Sequence, residues 1–322
     1  MCTAINFKNK YFGRNLDLEF KFNSQIVITP KNYFFSLRNK ESFNSKYGII
    51  GMALVVQNYP LYFDAMNEKG LAIAALNFNG YAKFNELNDS KINITTFELI
   101  PFLLGSCQNT IEVIDLIHKV NITNESFSKE LPVTPLHWII SDLSGKTITL
   151  ESTADGIKIL ENKIGVLTNA PNFTFHLENL SNYSSLTNQY PNNNLNKYDL
   201  NIYSRGMGAI GLPGDFSSQS RFVKTAFVKY FSICEDDPVN CITQFFKILG
   251  SVVQVNGNVI TETNQCEYTI YSSCMDLENC IYYYQTYNNN QISAVKMSKE
   301  LLTKKELSIF PLIDEQKINF IN

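Results

Sequence analysis

The chain has 322 residues, 44% of them hydrophobic and 13% aromatic, which is ample for a sizeable core. A formal net charge of -3 and a pI near 5.7 provide no basic field of the kind that nucleic-acid binding requires, so DNA and RNA are excluded as partners. No run of roughly 18 apolar residues is present to span a membrane, and no apolar segment follows a basic N-terminus. A cytoplasmic protein without membrane insertion is expected, and the lack of any Pro-, Gly- or Ser-rich linker points to one domain over residues 1–322.

In chain order, Thr3 to Phe7 reads as a strand, Lys8-Asn9-Lys10 as a turn, and Tyr11 to Leu18 as the returning arm of a hairpin. That hairpin brings Arg14 and Asp17 back toward Cys2. Ser24 to Thr29, Gly48 to Val56 and Gly70 to Leu76 read as further strands, the second of them a buried one rich in Val, Ile and Met. Between about residues 96 and 120 the period becomes helical, with Phe97, Ile100 and Leu104 on one stripe. Thr110 is placed there to cap a helix with the face Ile111, Ile114, Ile117.

Strands then return at Trp138 to Ser141 and Thr147 to Glu151 around the turn Ser144-Gly145-Lys146. Ile157 to Leu160 and Ile164 to Thr168 continue the same sheet in this reading. Asn182 to Asn201 is a solvated loop on composition. Ser220 to Phe231 and Ile242 to Leu249 form a second helical block. Tyr268 to Ser273, Ile281 to Thr286 and Gln291 to Val295 close the chain as strands, with a turn at Asn288 to Asn290. Strands, two helical blocks and more strands give an α+β fold in which two sheets face each other between helical layers.

Cysteines stand at positions 2, 107, 234, 241, 266, 274 and 280, an odd count without the close pairing of a zinc site. Cys274 and Cys280 are near enough in sequence to pair, but a reducing compartment disfavours it. Gly206 to Gly214 contains Gly-Met-Gly without the Lys-Ser/Thr of a phosphate loop.

Cys2 is distinguished by its place. Removal of Met1 would leave it with a free α-amino group, whose usual pKa near 8 lets it act as a base beside the thiol. Thiol and base then belong to one residue, an N-terminal variant of the activated nucleophile. A cysteine at position 2 is by itself as well explained as incidental. Arg14 and Asp17 add a fixed cation that favours a thiolate and a carboxylate able to orient the amine. His118, His137 and His176 are too scattered for a Cys/His dyad, and His137 beside Trp138 reads as a packed structural residue.

A series of segments spanning the chain then resembles one family. They are Met1-Cys2-Thr3-Ala4, Tyr11-Phe12-Gly13-Arg14-Asn15-Leu16-Asp17, Asn67-Glu68-Lys69-Gly70-Leu71, Leu76-Asn77-Phe78, Leu136-His137-Trp138 and Gly165-Val166-Leu167-Thr168-Asn169. Tyr203-Ser204-Arg205-Gly206-Met207-Gly208, Gly211-Leu212-Pro213-Gly214-Asp215, Ser220-Arg221-Phe222 and Tyr282-Tyr283-Tyr284 follow in order. The chain resembles the choloylglycine hydrolases among the N-terminal nucleophile hydrolases, and within them the bile salt branch more than the penicillin V acylases.

The resemblance implies a four-layer αββα sandwich and hydrolysis of the amide bond of glycine- or taurine-conjugated bile salts, with no metal or organic cofactor. It implies that Cys2 attacks, that Arg14 lies near its sulfur and that Asp17 holds its α-amine. Asn77 and Asn169 would be polar positioning residues able to donate to an oxyanion, and Arg221 would brace the network. Leu16, Leu18, Phe63, Phe127 and Leu131 match positions lining the steroid pocket, with Leu18 standing where relatives often carry an aromatic residue. The segment from Asn201 to Gly214 resembles an assembly arm, which implies a homotetramer. Two other readings stay open: an acylase for penicillin V or another small acyl amide, and an inactive apolar-ligand-binding protein of the same fold.

Overall fold

The structure, a computed structural model, describes residues 1–39 and 42–322. The N-terminal hairpin forms as expected: β1 (Cys2–Phe7) returns as β2 (Tyr11–Leu18), with Cys2 opposite Leu16 and Phe7 opposite Tyr11. Lys8 and Asn9 take φ of 51° and 58°, the left-handed pair that a type I′ turn needs to match strand twist. Next come β3 (Gln25–Thr29), a small separate ribbon of β4 (Phe34–Ser36) and β5 (Ser42–Asn44), and then β6 (Ile49–Val56), β7 (Tyr59–Asn67) and β8 (Ala72–Asn77). The parallel pair β9 (Ile92–Thr95) and β10 (Val120–Thr123) encloses α1 (Leu99–Ser106) and α2 (Thr110–Ile117).

The middle of the chain supplies β11 (Leu136–Ser141), β12 (Thr147–Thr153), β13 (Gly156–Glu161) and β14 (Val166–Leu167), followed by α3 (Phe173–Ser181), α4 (Ser218–Phe231) and α5 (Pro238–Gly250). It ends with β15 (Val259–Ile260), β16 (Cys266–Asp276), β17 (Ile281–Thr286), β18 (Ser293–Lys296), α6 (Lys299–Leu302) and β19 (Ser308–Phe310). Two large sheets result. One has eight strands in the order β13-β12-β11-β8-β7-β6-β3-β19, and the other has seven, β14-β1-β2-β16-β17-β18 with β15 beside β16.

The period of two along the strands explains the layering. Ile26, Ile28, Ile50, Met52, Met66, Ala74 and Leu76 of the eight-stranded sheet share a core with Ala4, Phe12 and Leu16 of the other sheet. Their alternates Val27, Ile49, Ala65, Ile73, Trp138 and Ile140 pack under Leu99, Leu103 and Leu104 of α1. Across the molecule, α4 and α5 cover the seven-stranded sheet with Phe222, Phe245, Ile248 and Leu249. The order is therefore helices, sheet, sheet, helices, the expected four-layer αββα sandwich. Among the described residues no helix is long and apolar enough to cross a membrane.

Three expectations are corrected. Asn109, not Thr110, caps α2, accepting from the Glu112 N–H at 3.0 Å, and Thr110 is the first helical residue. The buried face of α2 is Thr110, Val113 and Ile117, with Ile111 left 59% exposed, and the helix starts one residue earlier than a cap at Thr110 would place it. The segment around Val166 does not continue the sheet of β13; it crosses to the other sheet and pairs with β1, Ala4 opposite Leu167. Strand β7 and helix α3 were not anticipated. The β6–β7 turn rests on Gln57 and Asn58 at φ of 50° and 63° rather than on glycine, so nothing in its composition announced it.

Candidate active site

Hairpin register brings the first residues together. Cys2 and Ala4 sit opposite Leu16 and Arg14, so the Cys2 and Arg14 side chains are diagonal neighbours on the face turned toward the second sheet. Both are buried. The Arg14 guanidinium donates from Nη2 to Cys2 Sγ, from Nη1 to the carbonyls of Phe63 and Ala75, and from Nε to that of Asn15. Burial pulls the Arg14 pKa down, but Cys2, Tyr271, Asp64 and Asp17 raise it more, leaving it above the ordinary value.

The backbone end of Cys2 meets a second cluster on the helix side. Its N–H donates to Asn169 Oδ1 at 2.7 Å, and the same oxygen accepts from Arg221 Nη2 at 2.7 Å. Arg221, carried on the first turn of α4, also donates to the Cys2 carbonyl, to Thr3 Oγ1 at 2.7 Å and to the Phe216 carbonyl at 3.0 Å. It is completely buried, which lowers its pKa against the pull of Asp17 and Cys2.

Asp17 is buried as well, and burial pushes its carboxyl pKa up while the N-terminal ammonium, Arg221, Thr269 and Arg14 pull it back. One Asp17 oxygen accepts from Thr269 Oγ1 at 2.6 Å; the other, Oδ2, is buried with no partner among the described residues. The Met1 ammonium donates to the Asp17 carbonyl at 2.7 Å and pairs with Glu267 at 2.7 Å. With Met1 attached, the nitrogen of Cys2 is an amide; without it, an amine stands in the same cluster.

The two asparagines occupy different places. Asn169 spends its side chain inside the protein, its carbonyl on Cys2 and Arg221 and its Nδ2 on the Asn77 backbone carbonyl at 2.8 Å. Asn77, the last residue of β8, lines the cavity, and among the described residues its side-chain amide has no protein partner. Of the pair, Asn77 is the one whose amide is available to a ligand.

That cavity, about 370 Å³, opens onto Cys2 and Arg14. Its walls include all five residues expected there: Leu16, Leu18 and Phe63, with Phe127 and Leu131 on the opposite loop. Leu61, Phe20 and Phe97 join them, so the wall is largely apolar, as a site for a rigid apolar body must be. Phe22 packs against Phe63 with ring centroids 5.2 Å apart and planes tilted by 35°, and both rings line the cavity.

Several supporting residues escaped the sequence. Thr269 and Glu267 lie on β16, about 250 positions from their partners, and nothing local signals that pairing. His176 donates to the Asn169 carbonyl at 2.8 Å, and Ser218 accepts from the Asn169 N–H at 2.9 Å. His137 is buried and stacks on Phe78 at 4.3 Å, in keeping with a packed role. Cys274 and Cys280 are free thiols; the sulfur contact that does occur joins Cys234 and Cys241, 2.6 Å apart.

Comparison with known proteins places this geometry. The family model described as linear amide C–N hydrolases, choloylglycine hydrolase family, matches residues 2–310. The chain is 48% identical over 325 residues to the bile salt hydrolase/transferase of Lactiplantibacillus plantarum, covering 100% of both chains. A solved variant of the conjugated bile acid hydrolase of Clostridium perfringens superposes with a TM-score of 0.92 at 38% identity, covering 100% of each chain. The penicillin V acylase of Agrobacterium tumefaciens shares the fold, with a TM-score of 0.77 at 18% identity over 98% of this chain and 94% of its own.

Proposed function

The chain belongs to the choloylglycine hydrolase family of linear amide C–N hydrolases, and from that premise we propose that it hydrolyses glycine- and taurine-conjugated bile salts with Cys2 as an N-terminal nucleophile. The observation that carries this reading is the junction of a largely apolar cavity with Cys2, Arg14 and Asn77 at its floor. A steroid fills the apolar part, and its amide carbonyl then meets the sulfur.

In this mechanism loss of Met1 frees the Cys2 amine, for which the unpartnered Oδ2 of Asp17 is an acceptor in waiting. The thiolate, facing Arg14, attacks the amide carbon and the carbonyl oxygen becomes an oxyanion, to which the Asn77 amide is free to donate. The Cys2 ammonium gives a proton to the departing glycine or taurine nitrogen as the C–N bond breaks. The neutral amine then takes a proton from water, whose oxygen attacks the thioester and releases the bile acid and the thiolate. Asn169 and Arg221 hold the Cys2 backbone still throughout, and preorganisation of this kind is where much of the rate arises. The chain is read as one domain, and the exposed arm around Asn201 to Gly214 as a tetramer contact.

Release of glycine and taurine from conjugated bile salts, with penicillin V in parallel, tests the reading. Rapid release by the wild type and none by folded Cys2→Ala or Cys2→Ser is expected, since a hydroxyl is a far weaker nucleophile than a thiolate at neutral pH. Turnover of penicillin V alone would move the activity to the acylase branch. Wild-type-like turnover by Cys2→Ser would overturn the mechanism.

A further inference from the structure

Asp64 lies on β7 in the eight-stranded sheet and is completely buried. Its carboxylate crosses to the other sheet and accepts from three hydroxyls there: Tyr271, Ser273 at 2.9 Å and Tyr282 at 2.6 Å. Arg14 makes the opposite crossing, from β2 to the carbonyls of Phe63 and Ala75 on β7 and β8. Two opposite charges thus bridge the same interface in opposite directions. Ser273 links them, donating to Asp64 and accepting the Arg14 backbone N–H at 3.2 Å.

Three hydroxyls converging on one carboxylate suit its ionised form, which accepts only. Burial pushes the Asp64 pKa up, and Arg14, Tyr271, Tyr282 and Ser273 pull it back. A buried anion of this kind is stable when a buried cation faces it, and the reverse holds for Arg14. Tyr282 belongs to the C-terminal tyrosine run, for which the proposed reaction has no other use.

We propose that Asp64, held by Tyr271, Ser273 and Tyr282, is a positioning residue for amide hydrolysis, a buried counter-charge that makes no direct ion pair with Arg14 but holds its guanidinium toward the sulfur of Cys2 through Ser273 and through its field. It touches neither substrate nor sulfur and acts through Arg14. The proposal rests on Cys2 being the nucleophile. The other charges facing this centre are Asp17 on β2, Glu267 on β16, Arg221 on α4 and the N-terminal ammonium, so removing Asp64 removes one of the anions that offset Arg14.

Asp64→Asn keeps the shape and removes the charge. Its kcat on a glycine-conjugated bile salt is expected to fall roughly ten- to a hundredfold, the scale of a small misplacement in a preorganised site, with KM unchanged. A second readout is alkylation of Cys2 by iodoacetamide, with the rate below neutrality taken relative to the rate above. A guanidinium released from its hold stabilises the thiolate less, so that ratio is expected to fall in Asp64→Asn, and a rise, the effect of a lost anion alone, would overturn the positioning. A purely structural role would leave the ratio where it is.

Tyr282→Phe removes one anchor and keeps the charge; its kcat is expected to fall by roughly threefold, about the loss of one weak hydrogen bond, with KM and the alkylation ratio unchanged. Wild-type kcat in both folded variants, or an unmoved alkylation ratio in Asp64→Asn, overturns the proposal. Should Asp64→Asn not fold, Tyr282→Phe decides it, since wild-type kcat there sinks the anchoring. A wild type inactive on bile salts, with the alkylation ratio still lowered by Asp64→Asn, would sink the substrate reading and leave the positioning intact.

Discussion

His176 shows how a single nitrogen can set the acid limit of this site. Its Nε2 lies 2.8 Å from the Asn169 carbonyl, so that nitrogen carries the hydrogen, while Nδ1 is buried without a partner among the described residues. A second proton would have to go onto Nδ1, where nothing accepts it. Burial accordingly pulls the pKa down to about 4, with the nearby Arg221 guanidinium adding to the effect. An unfolded histidine titrates near 6.5, so between about 6.5 and 4 the unfolded chain holds more protons than the folded one. Stability is then complete above the upper limit and falls as pH drops through the window, by at most about 3 kcal/mol. His176→Gln, which can still donate to Asn169 but cannot titrate, is expected to show a flatter dependence of its urea midpoint between about pH 7 and pH 5. Parallel loss in both proteins would assign the acid sensitivity to other groups.

At the scale of elements, the β2–β16 pairing determines whether Arg14 and Asp17 find their partners. Gly13 makes that approach possible by lacking a side chain rather than by unusual backbone angles: a Cβ there would stand 2.0 Å from the Ser273 carbonyl oxygen and 2.6 Å from its carbon. Both obstacles are backbone and cannot turn aside. Gly13→Ala should push β16 away from β2 and cost on the order of 3 kcal/mol, read as a lower urea midpoint; an unchanged midpoint would show that the sheet can yield there. The same element shows what was legible in the sequence. The hairpin, its turn and the nearness of Arg14 to Cys2 could be read locally, because they depend on a period of two and a short connection. The pairing that brings Thr269 to Asp17 could not, because it joins residues 252 positions apart and both strands are buried on each face. Asp64 escaped for a related reason: a lone acid in an apolar strand has meaning only through the opposite sheet. The apolar residues of the cavity were found through family likeness, since on hydrophobicity alone Leu16 and Phe63 are indistinguishable from core.

For the whole molecule, the question is what covers the arm between α3 and α4. Its base is tied, with the Thr187 N–H donating to the Gly208 carbonyl at 3.0 Å, and Gly208 is closed in so tightly that a Cβ would lie 2.1 Å from the Gln189 carbonyl. Beyond that base the chain leaves Tyr198 65% and Tyr203 81% exposed, beside open Leu195, Leu200 and Ile202. A run of exposed apolar side chains on one excursion is costly in water, and the proposed tetramer contact would cover it. Closed symmetry among identical copies is the usual way such a surface is satisfied. Sedimentation of the intact protein is therefore expected to give a tetramer. Replacing residues 188–207 by a short Gly-Ser link, which the tied base tolerates, is expected to give a smaller species in which Cys2 still reacts with iodoacetamide, since the cavity at Cys2 is lined from outside the arm. A truncated protein that remains tetrameric would remove the arm from the assembly, and an intact protein that sediments as a monomer would leave its apolar face to some other partner.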